Sequence, residues 1–166
     1  MPSIVIRPFR PGDEAALRAV FHASVHGLAS KHYSPVQCDA WAPRLYDAAQ
    51  WAERMRANQP FIAQVDGSEG VAGFADLQAD GYIDHFFVAP AFAGRGVARA
   101  LMAHLHVQAA QRGLPRLWAH VSLTAEPFFA AQGFAVRERC EVERAGVVLR
   151  NALMDLHMNL NLDRSK

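Results

Sequence analysis

The pattern of hydrophobic and polar positions predicts one strand and two long helices in the amino-terminal third of the chain. Residues 3–9 (SIVIRPF) are rich in β-branched side chains, which favour a strand. After the break at PGD, Asp13 is placed to cap a helix in which apolar residues recur at helical spacing. This apolar face consists of Leu17, Val20, Phe21, Val25 and Leu28. A loop with a short helix after Pro35 leads to a second amphipathic helix over residues 44–58.

From residue 60 onward the pattern changes to short strands. The sequences PFIAQV and VAGFADLQ flank DGSEG and predict a hairpin, and YIDHFFVAP predicts the next strand. A helix ending near Arg112, a strand (RLWAHV), a short helix (TAEPFFAAQ) and two final strands follow. The order β-α-α-β-β-β-α-β-α-β-β predicts an α+β fold with one central mixed, mostly antiparallel sheet flanked by helices. No linker or repeat interrupts it, so residues 1–166 form a single predicted domain.

Composition and charge fit a globular domain and limit its partners. Hydrophobic residues make up 51% of the chain and charged residues 20%, which is enough to bury a core. The formal net charge of +1 argues against nucleic acid or an anionic membrane as a partner. We read no signal peptide and no apolar run near the ~20 residues of a membrane span, so we expect a cytoplasmic protein. Cys38 and Cys140 fit no metal-binding or redox spacing and are expected to be reduced thiols.

A glycine-rich turn before the helix that ends near Arg112 is the first candidate functional feature. The preceding strand ends at Val88-Ala89-Pro90, and Gly94 and Gly96 precede the helix. Free backbone N–H groups and the helix dipole at such a junction form an anion site, for which phosphate is the usual ligand. A P-loop would need Lys-Ser/Thr where Val97-Ala98 stands, and a Rossmann fingerprint would need Gly or Ala where Arg99 stands. A plain strand-to-helix turn, with glycines needed for tight packing, is the structural alternative.

The same turn resembles the acetyl-CoA loop of the GCN5-related N-acetyltransferases (GNAT family). That loop has the pattern Gln/Arg-x-x-Gly-x-Gly/Ala after a strand ending Val-x-Pro. Residues 93–98 read AGRGVA, with Ala93 in place of the usual Gln or Arg. The sequence IRPFRPGD resembles the usual amino-terminal opening of the family, and FFAAQGF resembles its second signature. The order of strands and helices also resembles that of the family along the whole chain. The segment HYSPVQCDAWAP further resembles the YafP-like bacterial branch.

The resemblance implies acetyl-CoA as a co-substrate, no metal ion, and a set of cofactor-binding residues. In this acyl-CoA N-acyltransferase fold the fourth strand splays from the fifth, and its exposed backbone pairs with the pantetheine arm. The loop holds the pyrophosphate, and two phenylalanines of the following helix flank the thiol end. The implied residues are Phe86, Phe87, Val88, Gly94, Arg95, Gly96, Val97, Ala98, Arg99, Phe128 and Phe129.

The resemblance also implies that an amine attacks the thioester directly, for which the amine must first lose a proton. Alternation along the fourth strand predicts Asp84 and Phe86 on one face and His85 on the other. Asp84 matches a position where some polyamine acetyltransferases carry a substrate-facing Glu, and it is the first candidate base. His120, at the end of the next strand, is the second candidate, because histidine changes charge near neutral pH. His85 is expected to have a structural role.

The general acid and the acceptor pocket follow from the same resemblance. Phe129 occupies the position where many family members carry a tyrosine acid. Either Tyr82 or Tyr33 therefore donates the proton, or the thiol leaves without an acid. The acceptor pocket is expected to come from the first two helices and their connection, where His32 and Tyr33 are candidate binding residues. Asp84, on the fourth strand, is the third candidate for binding the acceptor.

The predicted function is transfer of an acetyl group from acetyl-CoA to a primary amine of a small molecule or peptide. One alternative is a toxin of the same fold that acetylates aminoacyl-tRNA, which the net charge of +1 disfavours. Another is a non-catalytic CoA-binding regulatory module, which Phe129 and Ala93 leave open. The resemblance implies no membrane partner, and a homodimer is compatible with it.

Overall fold

The computed structural model describes residues 2–159, which form seven strands and five α-helices. The strands are β1 Ile4–Pro8, β2 Phe61–Val65, β3 Gly73–Ala75, β4 Phe86–Val88, β5 Arg116–Ser122, β6 Ala135–Arg144 and β7 Val147–His157. The helices are α1 Glu14–Gly27, α2 Pro35–Trp41, α3 Ala48–Asn58, α4 Val97–Gln111 and α5 Glu126–Ala131, with 3₁₀ turns at Ala29–Lys31 and Pro90–Phe92. The predicted α+β fold is confirmed, and the short helix predicted after Pro35 is α2.

The sheet is divided into two antiparallel parts. One part has the strand order β1-β2-β3-β4 and the other the order β5-β7-β6. They join at one end, where Tyr82 and Trp118 form an isolated parallel bridge and the Ile83 amide donates to the Trp118 carbonyl at 2.8 Å. Beyond this bridge, β4 and β5 are not paired within the described part of the chain, so their backbone edges diverge.

Helices cover both faces of the divided sheet. The core on the α4 side includes Ile83, Val97, Leu101, Met102, Leu105 and Leu117. The core on the α1–α3 side includes Leu17, Val20, Phe21, Val25, Met55 and Phe74. The predicted apolar face of α1 is therefore confirmed, except that Leu28 is only half-buried. Between residues 2 and 159, no helix has the length and apolar character needed to cross a membrane.

Local side-chain hydrogen bonds set where two helices, α2 and α3, begin. Ser34 forms a capping box before α2. The Asp47 carboxylate accepts the Gln50 amide at 3.1 Å, so α3 begins after Asp47 and the start predicted at residue 44 is wrong. Asp13 precedes α1 as predicted, but its carboxylate makes no capping hydrogen bond and instead accepts two hydrogen bonds from Arg7, each at 2.9 Å. This ion pair ties α1 to β1.

The strand predicted from Tyr82 onward is interrupted by a buried carboxylate. Asp76 accepts the backbone amides of Asp84 at 2.7 Å and His85 at 3.1 Å, in place of main-chain partners. Only Phe86–Val88 remains as β4. The predicted alternation fails here, because Ile83 packs into the same core as Phe86 although it lies three residues earlier. The interruption re-aims the side chains that precede β4.

Candidate active site

The divergence of β4 from β5 opens a groove of about 680 Å³ between the two parts of the sheet. The end of β4, the glycine-rich turn, the start of α4 and the helix α5 form its walls. The predicted cofactor-binding residues that line this groove are Phe86, Phe87, Val88, Gly94, Gly96, Val97, Ala98, Arg99, Phe128 and Phe129. The fold thus brings three separate sequence segments to one site.

The glycine-rich turn has two positions that require glycine. Gly94 has a φ of 74° and Gly96 a φ of 86°, a region in which residues with a Cβ are strained. A Cβ at Gly94 would meet no atom within 4 Å, so this backbone borders open space. Gly96 is the N-cap of α4, whose first amides have no partner within the helix. The turn therefore presents free N–H groups and a helix dipole to the groove.

The two arginines of the turn occupy different environments. The Arg95 guanidinium lies over the Phe92 ring, 5.2 Å from its centroid, and among the described residues Arg95 is not part of the groove lining. This geometry does not support the predicted cofactor contact of Arg95. Arg99, in the first turn of α4, does line the groove. Ala93 also lines it, with an extended backbone (φ −62°, ψ 141°) that accepts any side chain.

Phenylalanine rings close the groove beside α5. The Phe86 ring centroid lies 5.7 Å from that of Phe128 and 5.4 Å from that of Phe129. Phe129 is 3% exposed and packs on Phe134 with centroids 5.0 Å apart. A phenyl ring carries no exchangeable proton, so Phe129 cannot act as a general acid.

A second cavity of about 450 Å³ adjoins the groove. Trp41 and Ser122 line both spaces, so the two meet between α2 and the end of β5. The aromatic residues that line this second cavity are Phe21, Tyr33, Trp41, Tyr46, Trp51 and Tyr82. A concave space with aromatic walls and a few polar groups is typical of a small-molecule site.

Asp84 lies in the second cavity, but basic and amide groups hold its carboxylate. It accepts hydrogen bonds from Arg54 Nη2 at 2.7 Å and from Asn58 Nδ2 at 2.8 Å. Burial raises the pKa of Asp84, but His85, Arg54 and Asn58 together outweigh burial and lower the pKa below its ordinary value. Because a carboxylate with a lowered pKa is a weak proton acceptor, this geometry disfavours Asp84 as the base.

His85 and Asp76 form a buried pair under Asp84. His85 Nδ1 lies 3.0 Å from Asp76 Oδ2, and the two residues are 6% and 0% exposed. The imidazole packs against Trp51, with centroids 5.5 Å apart, and its accessible side lines the second cavity. The pair therefore fixes the backbone before β4 and forms part of the cavity floor.

His120 and Tyr82 face the second cavity from β5 and from the parallel bridge. Their ring centroids are 6.1 Å apart. His120 is exposed and lies two residues before Ser122 on β5, so both side chains project from the same face of the strand. Burial raises the pKa of Tyr82, and the charge of Asp84 raises it further. Tyr82 is therefore a poor proton donor.

Tyr33 reaches the second cavity, whereas His32 does not. The Tyr33 hydroxyl donates to the Arg150 carbonyl and accepts the Leu123 amide at 3.0 Å, so its proton is already engaged. Its ring lines the cavity. His32 Nδ1 lies 2.9 Å from Thr124 Oγ1, a residue of the groove lining. The predicted role of His32 in acceptor binding is not supported, because its ring is directed toward the start of α5.

The sequence analysis missed most of the charged residues of the site, among them Arg18, Arg54 and Asp76. Arg18 and Arg54 line the second cavity, and Asp76 supports its floor. Arg18 stands between Leu17 and Phe21 on the apolar face of α1, and it is 5% exposed. A charge on an otherwise apolar helix face is the signal that could have identified it. Asp76 carries a similar signal, since it stands between Ala75 and Leu77 in an otherwise apolar stretch.

The divided sheet, the glycine-rich turn and the groove between them define the acyl-CoA N-acyltransferase class. Residues 29–156 match the sequence profile of the acetyltransferase (GNAT) domain. The chain therefore belongs to the GNAT family of acetyl-CoA-dependent N-acetyltransferases.

Similar proteins agree with this membership. The uncharacterized N-acetyltransferase YafP of Escherichia coli K12 is 36% identical over 154 residues, which cover 93% of this chain and 96% of YafP. A crystal structure of a GCN5-related N-acetyltransferase from Rhodopseudomonas palustris has a TM-score of 0.88 and 33% identity, covering 95% of this chain and 98% of the other. The structure of yncA from Salmonella typhimurium with its cofactor acetyl-CoA has a TM-score of 0.67 and 19% identity, with 95% of each chain covered, and shows the shared fold. The resemblance inferred from the motifs is confirmed.

Proposed function

We propose that this protein transfers the acetyl group of acetyl-CoA to the primary amine of a small molecule or peptide by direct attack in a ternary complex. The observation that carries the proposal is the junction of the groove with the second cavity at Trp41 and Ser122. This junction would let an amine in the second cavity reach a thioester in the groove without a covalent enzyme intermediate.

The groove has the features needed to hold the cofactor. The edge of Phe86–Val88 that faces away from β3 is unpaired within the described residues, and it is available to pair with the pantetheine arm as an added strand would. The amides from Gly94 to Arg99 are suited to the pyrophosphate, and Phe128 and Phe129 would flank the thiol end. Acetyl-CoA supplies a thioester, which is an activated acetyl donor. The protein supplies the binding and orientation.

We assign proton removal from the amine to His120, directly or through a water molecule. Its ring is exposed to the second cavity and lies on the same strand face as Ser122, at the junction. Asp84 is the other candidate, but its contacts with Arg54 and Asn58 lower its pKa and favour a role in organising the cavity. His85 is buried against Asp76 and has a positioning role.

The proposed mechanism uses no general acid. Phe129 has no proton to donate, the Tyr33 proton is hydrogen-bonded to a carbonyl, and the pKa of Tyr82 is raised by burial. A thiol with a pKa of about 8.5 leaves readily as the thiolate, so an acid is not required.

The test is release of free CoA from acetyl-CoA in the presence of a panel of primary amines. The panel contains polyamines, amino acids, arylalkylamines and aminoglycosides, and free CoA is followed with a thiol reagent after acetyl-CoA binding has been measured by calorimetry. Acceptor-dependent release supports the proposal. Binding of acetyl-CoA without release from any acceptor would instead favour a CoA-binding regulatory module. Aminoacyl-tRNA is assayed beside the panel, and release with that acceptor alone would favour the toxin.

A further inference from the structure

We propose that the second cavity contains an anion subsite built on Arg18, so that the acceptor is an amine that also carries a carboxylate or a similar oxyanion. This inference rests on the proposed acetyltransferase function, since it specifies the substrate class of the same site. Arg18 is a buried arginine that the proposed chemistry does not use.

Arg18 lies among aromatic rings at the wall of the second cavity. It is 5% exposed, and its guanidinium carbon lies 4.1 Å from the centroid of Tyr46 and 5.1 Å from that of Phe21. The Trp51 centroid is 5.7 Å away. All three rings line the same cavity as Arg18. The rings fix the guanidinium plane and shield it from bulk water, as in a cation–π arrangement.

Arg18 has no carboxylate partner within residues 2–159. None of the ion pairs in that part of the chain includes it, and its one side-chain hydrogen bond runs from Nη2 to the Pro43 carbonyl at 2.7 Å. Burial lowers the pKa of Arg18, which shows the cost of holding this charge away from water. A guanidinium has five N–H donors in a fork that matches an oxyanion. Several of these donors are therefore available to a ligand.

The remaining charges of the second cavity also favour an anion. The charged residues of its lining are Arg18, Arg54, Arg144, Arg150, Asp47 and Asp84. Asp84 pairs with Arg54, and Arg150 pairs with Glu141. Within residues 2–159 no carboxylate pairs with Arg18 or Arg144, which together outweigh the single charge of Asp47 at the start of α3. The uncompensated charge is thus positive, and a concave surface concentrates the field of that charge on a bound ligand.

The position of Arg18 fits an acceptor of amino-acid size. The Phe21 ring contacts both the Arg18 guanidinium, whose carbon lies 5.1 Å from its centroid, and Trp41, whose centroid lies 6.4 Å away. Trp41 lines the junction with the groove. Phe21 therefore connects the anion subsite, through its contact with Trp41, to the junction where the amine would react.

The experiment compares two acceptors that differ only in the anionic group. L-phenylalanine and L-phenylalaninamide are assayed at saturating acetyl-CoA, with the aminophosphonate analogue of phenylalanine as a third acceptor. We expect kcat/KM to be at least about tenfold higher for phenylalanine than for its amide, through a lower KM, because the carboxylate gains charge-assisted hydrogen bonds. A still higher kcat/KM for the phosphonate would assign the subsite to phosphorus oxyanions.

The variant Arg18→Gln removes the positive charge and the paired N–H donors of the guanidinium. We expect it to reduce the ratio of kcat/KM values, phenylalanine over phenylalaninamide, from about tenfold or more to about one. Arg56→Gln is the matched control. It changes an arginine on α3 that is 62% exposed and pairs with Glu14 outside the cavity, and it should keep the wild-type ratio.

A binding measurement keeps the inference testable if Arg18→Gln does not fold or no amine is acetylated. In the presence of CoA, 3-phenylpropanoate should raise the Tm of the wild-type protein more than 3-phenylpropanamide does. This preference without any acetylation would uphold the anion subsite and refute the proposed function. Acetylation with equal kcat/KM for acid and amide, or an equal or absent Tm response to the two probes, would refute the subsite while leaving the acetyltransferase function in place.

Discussion

Asp84 and His120 differ in their neighbours, and the neighbours decide which of them can accept a proton. Asp84 faces a guanidinium and an amide, so its carboxylate is stabilised in the charged form and binds a proton weakly. His120 is exposed on the junction side of β5 and contacts Tyr82 and Trp118 through ring faces and edges. The sequence contains both residues at suitable positions, but only their contacts distinguish their roles.

Replacing His120 by Gln should remove the pH dependence of acetyl transfer. We expect kcat/KM of the wild-type enzyme to rise as the pH is raised from acidic to neutral values, because a general base accepts a proton only in its unprotonated form. His120→Gln should lower kcat/KM by roughly 100-fold at neutral pH and flatten the profile. The measurement is the pH–rate profile with the best acceptor.

Asp84→Asn tests the competing assignment. Because the pKa of Asp84 is lowered, its carboxylate is ionised throughout this pH range, and the variant should lose activity without a change in profile shape. His22→Gln, a histidine of α1 outside both cavities, serves as the control. If Asp84→Asn flattens the profile and His120→Gln preserves it, the base is Asp84.

The substitution Ala93→Arg should strengthen cofactor binding. Ala93 borders the groove, is exposed and has an extended backbone, so the longer side chain fits without strain and can reach a phosphate. We expect the Kd of CoA to fall by about two- to fivefold, which is the size of an exposed ion pair. The gain should shrink in high salt. Calorimetry at two salt concentrations measures both effects, and Ala91→Arg is the matched control, since Ala91 is exposed outside the groove lining.

At the scale of elements, β4 and the segment before it owe their shape to Asp76. Its carboxylate replaces main-chain partners for two amides and holds His85, so β4 is limited to Phe86–Val88. This arrangement sets both the end of the strand that faces the groove and the floor of the second cavity. A single buried side chain therefore positions parts of both binding spaces.

Asp76→Ala should destabilise the protein markedly. The change leaves buried backbone N–H groups without acceptors, at about 1–3 kcal/mol each, so we expect the free energy of unfolding to fall by roughly 2–5 kcal/mol. Urea unfolding followed by circular dichroism measures the loss. Asp66→Ala, at an exposed aspartate after β2, should change stability by less than about 0.5 kcal/mol. Equal effects of the two substitutions would contradict the role of Asp76.

The elements that could be predicted from the sequence are those with a strong local pattern. The strand β1, the apolar face of α1, the glycine-rich turn and α4 each follow from residues within a few positions of one another. The interruption before β4 could not be predicted, since it depends on Asp76 meeting amides eight and nine residues later in the folded chain. The same holds for Arg18 and Arg54, whose role depends on tertiary neighbours.

At the scale of the whole molecule, a single carboxylate joins the three strands of the second part of the sheet. Asp155 of β7 accepts hydrogen bonds from Arg116 of β5 at 2.9 Å and from Arg137 of β6. Burial raises the pKa of Asp155, but the hydrogen bonds from Arg137 and Arg116 outweigh burial and lower it. The Asp155 carboxylate therefore binds a proton less readily in the folded state than in the unfolded chain. This difference makes the free energy of unfolding depend on pH.

Acid should remove the stabilisation that Asp155 provides. Because folding lowers the pKa of Asp155, its contribution to stability is complete above the ordinary pKa of 3.8. That contribution is lost as the pH falls through the pKa of Asp155 in the folded state. We expect Asp155→Asn to be less stable than the wild-type protein at pH 7, with a difference that narrows toward about pH 3. Urea unfolding at several pH values measures this difference, and Asp66→Asn should show none. A constant difference across the range would refute the linkage.

The shortness of β4 also affects how the molecule behaves among other copies of itself. An open strand edge is a template on which another chain can add a strand and begin aggregation. Since β4 is three residues long, its free edge offers too few hydrogen bonds to hold a foreign strand, yet enough for the two amides of a pantetheine arm. Asp76, by ending the ladder early, thereby protects the protein from self-association at the edge that its cofactor would use.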